Sequence, residues 1–234
     1  MTRLFIDGRL DESIALLERL DELTEASGSI SAAQSTLLTT VFLCLGRLEE
    51  AHSFVTRPAR PFPICVALCY AYSGRLAEAQ RLLSDTILLL DTDAADLELV
   101  STYLLLMLEI SVLVEDRSAA AMLSARLAGL AHLAGTYRTP SCVARHLGTA
   151  AALLGKPDEA RAYYDQAVEV CTKVRFRPDL ALTRLGLAEL LLELYPDERD
   201  TAIEHLDFAI REFQEMKMQP SLERALRHRR LLKA

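Results

Sequence analysis

The sequence predicts an all-α, right-handed superhelix of about six helical hairpins followed by a terminal helix. Three observations predict it. The first is a hexapeptide written four times: Gly8-Arg-Leu-Asp-Glu-Ser13, Gly46-Arg-Leu-Glu-Glu-Ala51, Gly74-Arg-Leu-Ala-Glu-Ala79 and Gly155-Lys-Pro-Asp-Glu-Ala160. Each copy ends one apolar helical stretch and opens another. The glycine takes a positive φ without a Cβ penalty, and the acids after it sit in a first helical turn, where the macrodipole favours negative charge. The small residue that follows lets two antiparallel helices approach closely. The second observation is composition: 51% of residues are hydrophobic but only 6% aromatic, with no Trp, so the core rests on Leu and Ala, both strong helix formers. The third is punctuation, since the nine glycines and eight prolines fall mostly between helical segments. Recurrence at a spacing of about 28 to 42 residues means stacked hairpins, each touching its neighbours.

Residues 1–234 read as one repeat domain with turns near 8, 46, 74, 116, 155 and 197 and a capping helix over 220–232. The first turn comes so early that the chain enters midway through a unit. Residues 10–26 form the return helix, with Leu10, Ile14, Leu17, Leu20 and Leu23 at three- and four-residue spacing. Ser27-Gly28-Ser29 breaks it. Helices over 30–45 and 47–56 flank Gly46, and the proline-rich run from Arg57 to Pro63 is a stiff connector. Hairpin logic resumes over 63–73 and 75–90. A long helix over 94–114 then meets Glu115-Asp116-Arg117-Ser118, where no glycine marks the turn; Ser118 serves as N-cap of a return helix over 118–134. Helices over 140–154 and 157–174 flank Gly155. Helices over 178–194 and 200–216 are joined by a turn about four residues longer than the others, and Pro220 starts the last helix.

A net charge of −7 argues against a general nucleic-acid surface. The excess of Arg over Lys, 22 to 4 with no Asn, reads as composition bias. Arg224, Arg227, Arg229, Arg230 and Lys233 crowd the C-terminus, as cations complementing a helix dipole or as a docking surface for another domain or acidic partner. The five cysteines, odd in number and without a Cys-x-x-Cys pair, point to buried packing in a reducing, cytoplasmic setting. Cys65 and Cys69 are one turn apart, but no His or second Cys pair completes a metal site. No apolar run is long enough for a membrane span: the most apolar stretch, Val100 to Val114, is about fifteen residues and carries Glu109.

The region around Gly155 reads Leu147-Gly148-x-x-Ala151-x-x-x-Gly155-x-x-x-Glu159-Ala160-x-x-x-Tyr164-x-x-Ala167. This resembles the tetratricopeptide repeat, whose signature places large and small residues at these offsets. Val66, Ala67, Tyr70, Ala79 and Leu83 repeat the pattern around Gly74, Leu38, Phe42 and Ala51 around Gly46, and Leu185-Gly186, Ala202 and Ala209 in the final unit. Residues 94–134 fit poorly, keeping only Ala120 at the key small position. A narrower likeness covers Ala181 to Glu193, Ala202 to Ala209, Met216 to Met218 and Leu222 to Ala225. That stretch is similar to the end of the helical-repeat region in bacterial signalling ATPases of the LuxR and maltose-regulator type and in cyclase-linked relatives. The resemblance implies a regulatory or scaffolding piece beside an ATPase or effector domain, and the maltose-type likeness implies a small-molecule inducer as an alternative ligand. No phosphate loop, cyclase segment or DNA-reading segment is present in the sequence.

No chemistry is legible. His52, His132, His146, His205 and His228 form no paired motif for zinc, no nucleophile elbow occurs, and Glu189 and Glu193 lack the Glu-x-x-His partner of a carboxylate metal site. The expectation is a non-enzymatic module without cofactor, binding a protein or peptide in its concave groove. In stacked hairpins the first helix of each pair lines that groove. The repeat register then places Thr36, Thr40, Leu68, Tyr72, Glu109, Arg145, His146, Thr149, Thr183, Arg184 and Leu187 on it. Arg145, with Arg184 or His146, would hold a carboxylate; ordinary polar residues on a wet face read equally well. A clamp of Asn and Lys residues, as in terminal-carboxylate binders of this repeat class, is precluded because the chain has no Asn. Homo-oligomerisation through an apolar end is the remaining alternative.

Overall fold

The computed structural model describes residues 2–25, 32–56, 62–90, 97–135 and 141–232. Among them the architecture is all-α, with no strand. Six consecutive hairpins pair α1 (Thr2–Ile6) with α2 (Leu10–Glu25), α3 (Ala32–Leu45) with α4 (Leu48–Val55), and α5 (Pro63–Tyr72) with α6 (Leu76–Leu90). Then come α7 (Leu97–Leu113) with α8 (Arg117–Leu127), α9 (Val143–Leu153) with α10 (Pro157–Val174), and α11 (Arg177–Leu194) with α12 (Arg199–Met216). Helix α13 (Gln219–Leu231) follows unpaired. The first helices of neighbouring hairpins touch in sequence, α3 on α5, α5 on α7, α7 on α9 and α9 on α11, which makes a superhelix with those helices inside.

One joint recurs. Gly8, Gly46, Gly74 and Gly155 take φ between 75° and 78°. The next residue's amide donates to the carbonyl five positions back: Arg9 to Leu4 (2.9 Å), Arg47 to Phe42 (2.8 Å), Arg75 to Tyr70 (2.9 Å) and Lys156 to Ala151 (3.0 Å). That bond satisfies a carbonyl the helix end would otherwise orphan. The basic residue after the glycine also pairs with the hexapeptide glutamate: Arg9 with Glu12, Arg47 with Glu50, Arg75 with Glu78 and Lys156 with Glu159. These pairs are largely solvent-screened and weak; their value is to the turn's geometry.

The fourth hairpin makes the same joint without glycine. Glu115 takes φ 57° and the Asp116 amide donates to the Ser111 carbonyl at 2.8 Å. The N-cap of α8 is therefore Asp116, whose carboxylate accepts from the Ala119 amide at 2.9 Å, and not Ser118, which already lies in the first turn. Helix α8 is also shorter than its apolar pattern predicts. It ends at Leu127 and passes into a 3-10 turn over Ala128–Leu130, where Gly129 weakens the α-helix. The longer final turn contains a second 3-10 segment, Pro196–Glu198. The Ser27-Gly28-Ser29 break, the proline-rich residues 57–61, residues 136–140 and Lys233 lie outside the described residues.

The superhelix makes one circuit and its ends meet. Phe5 packs edge to face on Phe176, with ring centroids 5.4 Å apart, and both are fully buried. Gly8 lies against Met216 so closely that a Cβ there would stand 2.4 Å from its sulfur. Lys217 pairs with Asp11 at 2.7 Å, and α13 reaches α3 as well as α11 and α12. The apolar face of the first hairpin is thus covered by the chain's own last hairpins. Four of the five free cysteines are buried and Cys44 is half-buried.

Candidate functional site

Because the ends meet, the inner helices line a narrowed, partly open pocket rather than a wide trough. The inward faces of α3, α5, α7, α9 and α11, with the start of α13, surround a cavity of about 230 Å³. Eight sequence-named residues line it: Thr36 and Thr40 from α3, Leu68 and Tyr72 from α5, Glu109 from α7, and Arg145, His146 and Thr149 from α9. Leu43, Leu105, Leu106, Val112, Leu113, Leu182 and Leu185 supply much of the apolar wall. Pro220, Ser221 and Arg224 of α13 close one side, residues that no groove register foresaw because they come from outside the repeat.

Thr183, Arg184 and Leu187 lie elsewhere. Thr183 is buried, its hydroxyl donating to the Asp179 carbonyl at 2.6 Å. Arg184 lies over the Phe208 ring of α12, its guanidinium carbon 4.2 Å from the centroid. Leu187 packs with Ala151, Ala160 and Tyr164 in a secondary core. The register on α11 is offset by a residue because Tyr164 of α10 wedges between α9 and α11. A Cβ on Gly148 would stand 2.8 Å from the Tyr164 ring, and one on Gly186 would stand 2.9 Å from it. Only two glycines admit the ring, so Gly186, with Leu182 and Leu185, faces the cavity.

The polar groups form two clusters. In one, the Tyr72 hydroxyl donates to Glu109 Oε1 at 2.6 Å. In the other, Arg145 Nε donates to Asp179 Oδ1 in a buried ion pair. Arg145 Nη2 donates to Ser141 Oγ at 2.7 Å and to His146 Nε2 at 3.0 Å, and Ser141 Oγ donates to Asp179 Oδ1 at 2.9 Å. An arginine only donates, so His146 Nε2 accepts and the ring is the neutral Nδ1–H tautomer. Neither Ser141 nor Asp179 was legible as a site residue: Asp179 reads as an ordinary first-turn acid, and Ser141 as a first-turn residue of the helix expected over 140–154, although α9 begins only at Val143. The cluster clasps the starts of α9 and α11.

Burial dominates the electrostatics. It pushes Glu109 above the ordinary carboxylate range, against the opposing pull of the Arg145 charge and the Tyr72 hydrogen bond. Burial and the facing Glu109 push Tyr72 well up; the 41% of Tyr72 that stays open belongs to a cavity-lining side chain. Burial, then the Arg145 charge, hold His146 well below its usual value. Burial pushes the Cys44 thiol up to about 12, which leaves no thiolate nucleophile at the wall.

Ser141, His146 and Asp179 are the three residue types of a hydrolytic triad, but the roles do not match. A triad needs the carboxylate on the histidine's far nitrogen and a basic near nitrogen. Here Ser141 Oγ stands 2.8 Å from His146 Nε2, but Asp179 binds Ser141 and Arg145 rather than the ring's far nitrogen, and an arginine N–H shares the near one. Of the two partners expected for Arg145, His146 lies beside it at 3.0 Å and Arg184 is away on Phe208, while Asp179 already engages the Arg145 guanidinium. Among the described residues no cluster of His, Cys, Asp and Glu has metal-binding geometry, and no helix is long and apolar enough to cross a membrane.

Residues 140–214, spanning α9 to most of α12, match the sequence model of the tetratricopeptide repeat. No curated protein matches the chain. With the helical pairing and shared joints above, the described residues form an all-α helical repeat, of which residues 140–214 are the tetratricopeptide-like part. Repeats of this class generally mediate protein–protein interaction and are typically non-enzymatic.

Proposed function

We propose that this chain is a non-enzymatic interaction module in which a small ligand occupies the cavity among the inner helices and governs the array's contacts with a partner protein. One observation carries the reading: five successive inner helices and α13 converge on a single space with a mostly apolar wall and a few polar groups. That combination is what small-molecule sites share. The space measures about 230 Å³. A small organic molecule fits, since an apolar cavity of about 150 Å³ already takes benzene.

The peptide-groove reading is second. It requires α13 to leave the position where Arg224 and Arg229 hold it on Glu189 and Asp207. Membership of a bacterial signalling or transcriptional regulator rests on the likeness of residues 181–225 alone. A thermal-shift series with small amphipathic compounds tests the first reading: a saturable rise in melting temperature, abolished when Thr40→Trp fills the cavity, supports it. Stabilisation that survives the filled cavity, or none from any compound while a peptide binds and releases α13, overturns it in favour of the groove.

A further inference from the structure

Resting on the small-ligand reading above, we propose that the cavity selects a cation: a primary ammonium or guanidinium on a compact apolar body, with Glu109 as the anchor for the charge. The inference comes from which charges facing the space are already matched. Arg145 is paired with Asp179, and Arg224 with Glu189 at 2.6 Å. His146 is neutral, its Nε2 taken by Arg145. Glu109 alone has no ion-pair partner among the described residues. Its one hydrogen bond, from the Tyr72 hydroxyl, uses Oε1, and the charge left over on the lining is a single negative one.

The hydroxyls nearby reinforce the sign. Thr40 spends its proton on the Thr36 carbonyl at 2.9 Å, Thr149 spends its own on the Arg145 carbonyl at 3.0 Å, and Tyr72 spends its own on Glu109. Each keeps acceptor capacity, Thr149 the least because its oxygen already accepts from the Tyr164 hydroxyl at 3.2 Å. The unspent capacity at Glu109 and these hydroxyls is therefore acceptor capacity, which an ammonium with three donors satisfies and a carboxylate does not. A carboxylate ligand would also have to displace Asp179 from Arg145 while facing Glu109. An entering cation replaces lost hydration with a charge-assisted bond in a low-dielectric space, where such bonds are strong.

The test uses three probes on one skeleton: 3-phenylpropylamine, 3-phenylpropanol and 3-phenylpropanoate, titrated into the full chain by calorimetry at pH 7.5. The amine binds about tenfold more tightly than the alcohol, the order of one charge-assisted hydrogen bond, and the carboxylate binds weakest. Glu109→Gln removes the amine's advantage while the alcohol's affinity holds; Tyr72→Phe, which spares the carboxylate, keeps the amine first. The advantage also shrinks as the pH is lowered and Glu109 takes up a proton. Equal binding of amine and alcohol, or a preference for the carboxylate, overturns cation selection and leaves a ligand cavity standing. No binding by any of the three, in wild type and in both variants, overturns the cavity reading with it.

Discussion

Phe5, in the first helix, and Phe176, at the start of α11, share an edge-to-face contact with centroids 5.4 Å apart, and this pair joins the two ends of the superhelix. An aromatic contact of that kind adds to the area it buries. It converts what would be an open coil into a closed circuit, and with it an open groove into a cavity. Phe5→Ala is expected to cost about 3 kcal/mol, as for a buried phenylalanine, and to enlarge the radius of gyration in small-angle scattering. A cost under about 0.5 kcal/mol, the level of an ordinary surface change, would mean the ends merely lie side by side.

The Tyr164 wedge makes a pairwise prediction. Gly148→Ala forces a Cβ to 2.8 Å from the ring and is expected to destabilise by about 1–3 kcal/mol through overpacking, although alanine is the better helix former. In a Tyr164→Leu background the same change becomes neutral or stabilising. Denaturant unfolding of the four-member cycle measures the coupling; additive effects would discard the wedge.

Asp179 neutralises Arg145 inside the protein, where a lone charge is costly. Asp179→Asn is expected to lose about 3–5 kcal/mol because it strands the guanidinium, whereas the double change Arg145→Leu with Asp179→Leu recovers most of that loss. If the single and double variants unfold at the same denaturant concentration, the pair is not what clasps α9 to α11.

His146 sets an acid limb. Its pKa is held well below the usual value, first by burial and then by Arg145. Below about pH 6.5 the unfolded chain therefore binds a proton that the folded chain refuses, and stability rises with pH there. Acidifying from pH 6.5 toward 5 should cost up to about 1.4 kcal/mol per pH unit from this residue. His146→Gln, whose amide oxygen also accepts from Arg145, flattens that limb. An unchanged pH profile in the variant would assign the acid sensitivity elsewhere.

Glu115 holds a left-handed conformation with φ 57° at a hairpin joint that copies the glycine joints without glycine. Glu115→Gly relieves a penalty of roughly 1 kcal/mol for a residue with a Cβ, offset in part by the freer unfolded chain. A small net rise in melting temperature is expected. A fall would show that the glutamate side chain contributes to the turn.

The repeated Gly-basic-x-x-Glu joints were legible because their conformation is decided by residues five apart: a glycine at positive φ and the bond across it need nothing distant. The same locality made the helix pairing legible, along with eight of the residues that line the cavity, since a helix's inward face follows from its own periodicity. The joint at Glu115 escaped because its backbone copies glycine's without glycine, and so Asp116 rather than Ser118 became the cap. The register of α11 was set by Tyr164, from a different helix, against Gly148 and Gly186. The Arg145 clasp needed Ser141 and Asp179 brought together across two helix starts, and the closure needed Phe5 to meet Phe176. What the sequence alone determined is the stack of paired helices, because short-range backbone and patterning preferences repeat along it. Whether that stack stays open or curls into a ring around a cavity was decided by the tertiary structure, because small rotations at each joint add up over the whole chain and only the contact of its ends fixes their sum.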